Sequence, residues 1–352
     1  MRRWIGALTV GLAVTVLGVG PAAACGFLVA PNGAVNLLRT STLAAYHDGV
    51  EHYVTSFQFA GSPGAFGSII PLPGAPTRVE RGGDWTLQRL VREVQPRSEP
   101  AAGATIAAAG RATSSITVLE RTQIDALDLA VLKGGAADVV AWANDNGFAL
   151  PGDTVASIDF YARRSPYFMV ARFDAEAAKA RGLNGGDGIP VHLTIPVDNP
   201  WVPLRILATA KEPEDLVQAD VFLLTDDEPA ILSTPGPKIA VSERASTALL
   251  ADLRSDKGTD WVPSTGWLTY VRIDAPAARI TGDLAVDARG GTPSLVATGL
   301  TASTAVRLHL GAGDNSSTVA WAAVAGVIVV AAAATLGWWA GRGRRYNADG
   351  TA

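Results

Sequence analysis

The stretch Leu43 to Phe59, LAAYHDGVEHYVTSFQF, decides how this chain folds. Leu43 to Tyr46 is apolar, His47-Asp48-Gly49-Val50 carries an Asp-Gly pair, and Tyr53 to Phe59 returns with near period-two alternation. Asp-Gly suits a two-residue turn whose central residues both take positive φ, so the reading is strand, tight turn, strand. Tyr53, Ser56 or Phe57, and Phe59 fall only imperfectly on one face.

Outward from this hairpin the same β signal recurs. Ile116 to Arg121, Leu127 to Lys133, Tyr167 to Phe173, Val191 to Val197, Leu204 to Ala210, Val221 to Thr225 and Trp267 to Ile273 read as strands, with shorter ones at Leu284 to Val286 and Val306 to Leu310. In Ile69-Ile70-Pro71-Leu72-Pro73-Gly74 two prolines end a strand or confine it to an edge. Four short segments have helical spacing. One follows Asp84 as N-cap and places Leu87, Leu90, Val91 and Val94 on one side before Pro96. A second runs from Ala136 to Asn144, buries Val139, Val140 and Trp142, and ends at Asn146-Gly147. A third follows Asp153 with Val155, Ile158 and Phe160 or Tyr161. The last runs from Ser242 as cap to Arg254 with Leu249, Leu250 and Leu253 inward. Pro96 to Ser115, rich in Ala, Gly and Ser, reads as an exposed excursion. The expected fold is α+β and β-rich: antiparallel sheets with a few short packed helices, plus one C-terminal transmembrane helix.

The termini set the expected topology. Thr318 to Ala340 holds 23 residues without a charge and is followed by Arg342, Arg344 and Arg345. As a helix it would be about 34 Å long, enough for a bilayer core of about 30 Å. Trp321 lies near one end and Trp338-Trp339 near the other, as interfacial anchors do. Met1-Arg2-Arg3, the apolar Trp4 to Val19 and Ala22-Ala23-Ala24 form a secretory signal with an A-x-A cleavage site. The expected domains are therefore a signal peptide (1–24), an extracytoplasmic domain (25–317), a transmembrane helix (318–340) and a cytoplasmic tail (341–352). The extracytoplasmic part reads as one domain or two, about 25–227 and 228–317. The arginine cluster places the tail in the cytoplasm through the positive-inside rule. Cys25, the single cysteine, excludes an intramolecular disulfide and is a candidate for lipid attachment at the mature N-terminus; Ala22 stands where a lipobox carries Leu, which favours ordinary cleavage.

Charge narrows the partners. Setting aside Arg2, Arg3, Arg342, Arg344, Arg345 and Asp349 leaves 24 basic against 32 acidic residues in the external part, a net charge near −8. No basic stripe with interleaved aromatics is present, so nucleic acid is excluded as a partner.

Several runs are similar to one uncharacterised bacterial family. They are the early hairpin leading into Gly67-Ser68-Ile69-Ile70-Pro71-Leu72-Pro73, the strand Leu127 to Leu132 feeding Val140-Ala141-Trp142-Ala143-Asn144-Asp145-Asn146-Gly147-Phe148, Tyr167 to Phe173, and Pro203-Leu204-Arg205-Ile206. With the Ala24-Cys25-Gly26 start and the C-terminal span, these resemble the domain of unknown function 2330 up to about Asp227. The resemblance implies an exported, membrane-attached bacterial protein and brings no reaction, substrate or catalytic residue.

Candidate chemistry is sparse. His47-Asp48-Gly49-Val50-Glu51-His52 is the densest set of ligand types, yet a hairpin turn does not put both imidazoles on one face; an exposed turn is favoured over a metal site needing His192 or His309 as third ligand. Asp252, Asp256 and Asp260, and Asp226-Asp227-Glu228, lack the spacing of a calcium loop and read as solvated turns. Asn184-Gly185-Gly186-Asp187-Gly188 lacks the lysine and helix start of a phosphate loop. Cys25 lies outside any pocket where a base could activate it. Trp201, Trp261 and Trp267 read as packing, not as a sugar platform. Gly337 to Gly341 is a G-x-x-x-G and Ala322 to Gly326 a small-x-x-x-small pair, which allow helix association within a membrane. No catalytic, cofactor-binding or metal residue is assigned, and no cofactor is expected. The favoured reading is a single-pass cell-membrane protein with its N-terminal domain extracytoplasmic, held by lipid through the C-terminal helix. It would bind an unknown envelope protein or cell-wall component without catalysis. The alternatives are an envelope hydrolase whose site is assembled from distant residues, and a membrane-complex subunit acting through its span.

Overall fold

A computed structural model describes residues 22–23, 27–29, 39–57, 67–94, 117–150, 152–174, 180 and 189–310. The signal segment apart from Ala22–Ala23, Cys25, the Asn184 to Gly188 run and the 318–340 apolar run lie outside the described residues. No helix among the described residues is long and apolar enough to cross a membrane.

Strands are numbered along the chain. The expected hairpin is present as β3 (Arg39–His47) and β4 (Val50–Phe57), joined by Asp48 and Gly49 at φ of 50° and 80°. That pair of left-handed residues is the turn geometry the Asp-Gly sequence favours. The hairpin sits at the centre of a mixed sheet ordered β14-β15-β12-β3-β4-β10-β6. The other members are β6 (Arg78–Arg81), β10 (Ile189–Pro196), β12 (Leu216–Thr225), β14 (Lys238–Arg244) and β15 (Trp267–Pro276). The short β1 (Ala22–Ala23) runs parallel to the start of β3.

Antiparallel sheets were expected, and the central sheet is instead mixed, with the short β1–β3 pairing and a longer one both parallel. β3 and β12 run parallel, from Ala219 opposite Thr40 to Leu224 opposite Ala45. Such a pair needs a long crossover, and most of the chain between residues 57 and 216 supplies it.

Much of that crossover builds a second, antiparallel sheet of five strands in the order β2-β5-β9-β8-β7. These are β2 (Phe27–Val29), β5 (Gly67–Leu72), β7 (Thr117–Ile124), β8 (Leu127–Lys133) and β9 (Tyr167–Phe173). Pro71 lies inside β5 opposite Phe168 of β9, at a position where β2 has already ended and, among the described residues, the other side of β5 is an edge. Gly67 is required by contact: a Cβ there would come within 2.8 Å of the Phe148 ring. A third sheet joins β11 (Trp201–Val202), β16 (Leu284–Asp287), β13 (Ala230–Ser233) and β17 (Val306–Arg307).

Both faces of the central sheet are covered. Ala44, Tyr53, Val191, Leu193, Val221 and Ile273 share one core with Ile69, Val131 and Phe168 of the second sheet and with Trp142 of helix α2 (Ala136–Asp145) and Tyr161 of helix α3 (Gly152–Ala162). Leu43, Ala45, Val54, Phe222 and Leu268 share another with Leu87 and Leu90 of α1 (Thr86–Val94) and Leu249, Leu250 and Leu253 of α4 (Thr247–Ser255). This sandwiching explains why the alternation in the opening stretch is imperfect: neither face needs to be polar. Leu253 is fully buried, and truncating it to Ala would cost about 2–5 kcal/mol through lost burial and the cavity left behind.

Two caps and one strand differ from expectation. Ser246, not Ser242, caps α4, its Oγ accepting from Leu249 N at 3.1 Å, because β14 extends through Arg244. Asp84 does not cap α1; Asp256 does so from across the fold, accepting from Asp84 N, Trp85 N and the Thr86 hydroxyl at 3.0, 2.9 and 2.8 Å. The expected strand at Leu204 to Ala210 is instead a single 3₁₀ turn, Arg205–Ala208.

Candidate functional site

Alternation along β4 sends Glu51 and Tyr53 into one core and His52 and Val54 into the other. Two buried polar clusters result, one on each face of the same strand.

On the helix-covered face, β4 and β10 pair so that His52 lies opposite Thr194 and Val54 opposite His192. The two histidines are thus diagonal neighbours, and His52 Nδ1 lies 2.9 Å from His192 Nε2. Trp261, from the loop after α4, stacks flat on His52 with ring centroids 4.2 Å apart and 2° between planes. His192 is 2% exposed; its Nδ1 is 3.2 Å from Glu80 Oε1 but not aligned for a hydrogen bond, so it has no bonded partner. Burial holds the His52 pKa down to about 4, helped by His47 and Arg78 and opposed by Asp260. Burial, then His52 and Arg78, holds His192 at about 3. Both rings are therefore neutral at neutral pH, and the shared bond needs one ring to donate and the other to accept.

Across the strand the groups are acids. Glu51 is fully buried; its Oε1 accepts from Trp201 N at 3.1 Å and its Oε2 has no partner. Burial pushes its pKa up to about 8 against that one hydrogen bond. Trp201 packs edge-on to Tyr161 at 5.8 Å, and the Tyr161 hydroxyl donates to Asp283 Oδ1 at 2.8 Å while accepting from Ile206 N at 3.0 Å. The same Asp283 oxygen accepts from Leu204 N and Arg205 N at 2.8 and 3.0 Å. Asp283 is fully buried, its Oδ2 is unpartnered, and burial raises its pKa to about 6 despite these donors. Glu51, Tyr161 and Asp283 together fix the backbone of 201–206.

Above Asp283 lie two arginines. Phe160, on α3 and buried, is approached by the Arg164 guanidinium at 3.7 Å and the Arg205 guanidinium at 4.1 Å from its centroid. Arg164 Nη1 donates to Phe160 O at 2.5 Å and Arg205 Nη1 to Thr281 O at 3.3 Å. Among the described residues neither forms a carboxylate ion pair, whereas the adjacent Arg163 pairs with Asp159. Partial burial lowers the Arg164 pKa, Asp283 opposes that, and Arg163 and Arg205 add to it.

The other expected candidates separate. His47 does not join His52; it pairs with Asp226 at 2.6 Å and Asp48 at 3.3 Å on the surface. His309 is exposed and makes no hydrogen bond with His52 or His192 among the described residues. Asp256 is the α1 cap described above, and although burial pushes its pKa up, hydrogen bonds from Trp85 N, Thr86 Oγ1, Lys257 N and Asp84 N hold it below the usual value. Asp252 pairs with Arg89 at 2.8 Å, and Asp260 acts on His52 only through its charge. Trp267 donates to Ser242 at 2.9 Å. Among the described residues no group of three His, Cys, Asp or Glu side chains is placed to hold a metal. Sequence reading placed Glu51 in an exposed turn and missed Tyr161, Asp283, Arg164 and Arg205; the available signal was an acid within or just before an apolar strand, as in Val50-Glu51-His52-Tyr53 and Asp283-Leu284-Ala285-Val286.

Comparison with known proteins adds a family and little else. No curated protein matches the chain. It is similar to the crystal structure of baculovirus P35, at 9% identity over 73% of this chain and 98% of that one, with a TM-score of 0.40. It is likewise similar to mutated baculovirus P35 after caspase cleavage, at 8% identity over 71% and 99% of the two chains, again with a TM-score of 0.40. Neither likeness informs the fold or function of this chain. The expected family is the one found: residues 19–228, more than half of the chain, match its model, and the chain belongs to DUF2330, the domain of unknown function 2330, an uncharacterized protein conserved in bacteria.

Proposed function

We propose that this is an exported, single-pass envelope protein whose folded domain stands outside the membrane and binds an envelope protein or cell-wall component without catalysis. The signal segment, the 318–340 apolar run and the arginine cluster after it support the placement. One observation carries the binding role: the buried acids spend most of their hydrogen bonds on backbone N–H groups. Asp256 caps α1, Glu51 takes Trp201 N, and Asp283 takes Leu204 N and Arg205 N. Such acids build a fixed scaffold for a surface, and among the described residues they are not aimed with a nucleophile at a common point. The test is crosslinking of the full-length protein in intact membranes, followed by purification and identification of what remains attached. A reproducible envelope protein or wall polymer supports the reading; a bare protein after several crosslinkers sinks it.

A second reading, the envelope hydrolase, draws on the His52–His192 pair, in which no described residue bonds His52 Nε2. A neutral imidazole oriented by a second one can take up a proton, although the burial that holds the His52 pKa at about 4 makes it a weak base at neutral pH. Hydrolysis of wall fragments that disappears in His52→Ala would favour it over the first.

A further inference from the structure

We infer that His52 and His192 form a two-coordinate site for a soft monovalent metal ion, copper(I) or silver(I), roofed by the Trp261 indole. This stands apart from the partner-binding reading, and either can fail without the other. His52 Nδ1 and His192 Nε2 are 2.9 Å apart, while their ring centroids are 5.1 Å apart. That centroid separation is close to the nitrogen contact plus two imidazole radii, so the two nitrogens point almost straight at each other. The indole is parallel to His52 within 2°, and its centroid lies 4.2 Å from that of His52 and 5.1 Å from that of His192. These three separations put the point midway between the imidazoles about 4 Å from the indole centroid, inside the roughly 6 Å over which a ring face attracts a cation.

The donor set selects the ion. Among the described residues no third His, Cys, Asp or Glu joins the pair as a ligand. Zinc takes four ligands and calcium six or more oxygens, whereas copper(I) and silver(I) accept two neutral nitrogens in line. A metal–nitrogen bond of about 2.0 Å sets two opposed ligands about 4 Å apart, so the rings part by about an ångström to admit the ion. His192, buried on β10, is the fixed member; His52 and Trp261 are partly exposed and yield. Each ring then carries its proton on the far nitrogen. For His192 that is Nδ1, with the Glu80 carboxylate 3.2 Å away, where the outer partner of a metal-bound histidine belongs. For His52 it is Nε2, which no described residue bonds; the proton that lay between the rings moves there, so none is released.

Competition titration tests this with three probes: copper(I) kept reduced by ascorbate without oxygen, silver(I), and zinc(II). The protein is full-length Cys25→Ser in neutral detergent, because the single thiol would bind the same soft ions. It should take up one copper(I) or silver(I) per chain, with quenched tryptophan emission, and hold zinc about a hundredfold more weakly or worse. His52→Ala and His192→Gln, added to that background, should each weaken uptake by about a hundredfold or more, beyond what loss of an outer-shell partner costs. Trp261→Leu should weaken it several-fold through the lost ring face. His309→Ala should bind like the Cys25→Ser reference. X-ray absorption of the copper(I) form reads the site with both histidines intact and should show two nitrogen ligands, which guards against a variant that merely misfolds. The proposal is overturned if the reference takes up no stoichiometric copper(I) or silver(I), if zinc binds as tightly, if absorption shows three or more ligands, or if either histidine variant binds like the reference. Failure here with a partner still captured by crosslinking would discard the metal and keep the binding role.

Discussion

Glu51 and His52 are adjacent on one strand, yet the two faces of that strand have opposite electrostatic character. On the Glu51 face, burial raises the pKa of Glu51 to about 8 and that of Asp283 to about 6, and both acids are hydrogen-bonded to the 201–206 backbone. On the His52 face, two imidazoles are held neutral under Trp261. Burial is the first cause of all four shifts, and it acts against whichever form is charged, so it raises acids and lowers histidines. One physical effect thus gives the two faces opposite responses to pH.

The largest way to break this comparison is at Asp283. Asp283→Ala strips the acceptor from Leu204 N, Arg205 N and the Tyr161 hydroxyl in a dry interior and should cost about 3–5 kcal/mol in urea unfolding of the full-length protein. Asp283→Asn keeps an acceptor oxygen and should cost much less. If Asp283→Ala costs no more than His52→Ala, the acid face is not the more tightly built of the two.

The comparison was only partly legible in the sequence. The hairpin could be read because Asp48-Gly49 is a local instruction, and the end of α2 because Gly147, at φ of 77°, follows Asn146. The His52–His192 contact joins residues 140 apart and depends on the register of β4 against β10, which no local pattern encodes. The α1 cap came from Asp256, so a reading confined to neighbours chose Asp84. Leu204 to Ala210 looked like a strand from its apolar residues, but three consecutive N–H groups there are taken by Asp283 and Tyr161, leaving none for a ladder.

A sharper test of the acid face is Glu51→Gln, which keeps the side-chain shape without the ionisation. Because folding raises the Glu51 pKa from 4.5 to about 8, its contribution is intact below pH 4.5 and is lost as pH rises to 8. Stability of Glu51→Gln relative to wild type should therefore grow by up to about 1.4 kcal/mol per pH unit across that window. On the other face, His52→Ala removes the ring beneath Trp261 and should cost about 1–2 kcal/mol, with a change in tryptophan emission from the uncovered indole. The smallest effect belongs to His47→Ala, whose pair with Asp226 is solvent-exposed and should be worth less than about 1 kcal/mol. An effect of His47→Ala as large as that of His52→Ala would mean that burial is not what separates the histidines.

The central claim, that burial gives the two faces opposite pH responses, is tested most directly by one profile. The urea midpoint of the full-length protein in neutral detergent is measured from pH 3 to 8.5 for wild type, Glu51→Gln and His192→Gln. Folding lowers the His192 pKa from 6.5 to about 3, so its contribution is intact above pH 6.5 and lost as pH falls toward 3. Relative to wild type, Glu51→Gln should gain stability as pH rises from 4.5 to 8, and His192→Gln should gain it as pH falls from 6.5 to 3. Difference profiles that are flat, or that slope in the same direction for both variants, would contradict the account.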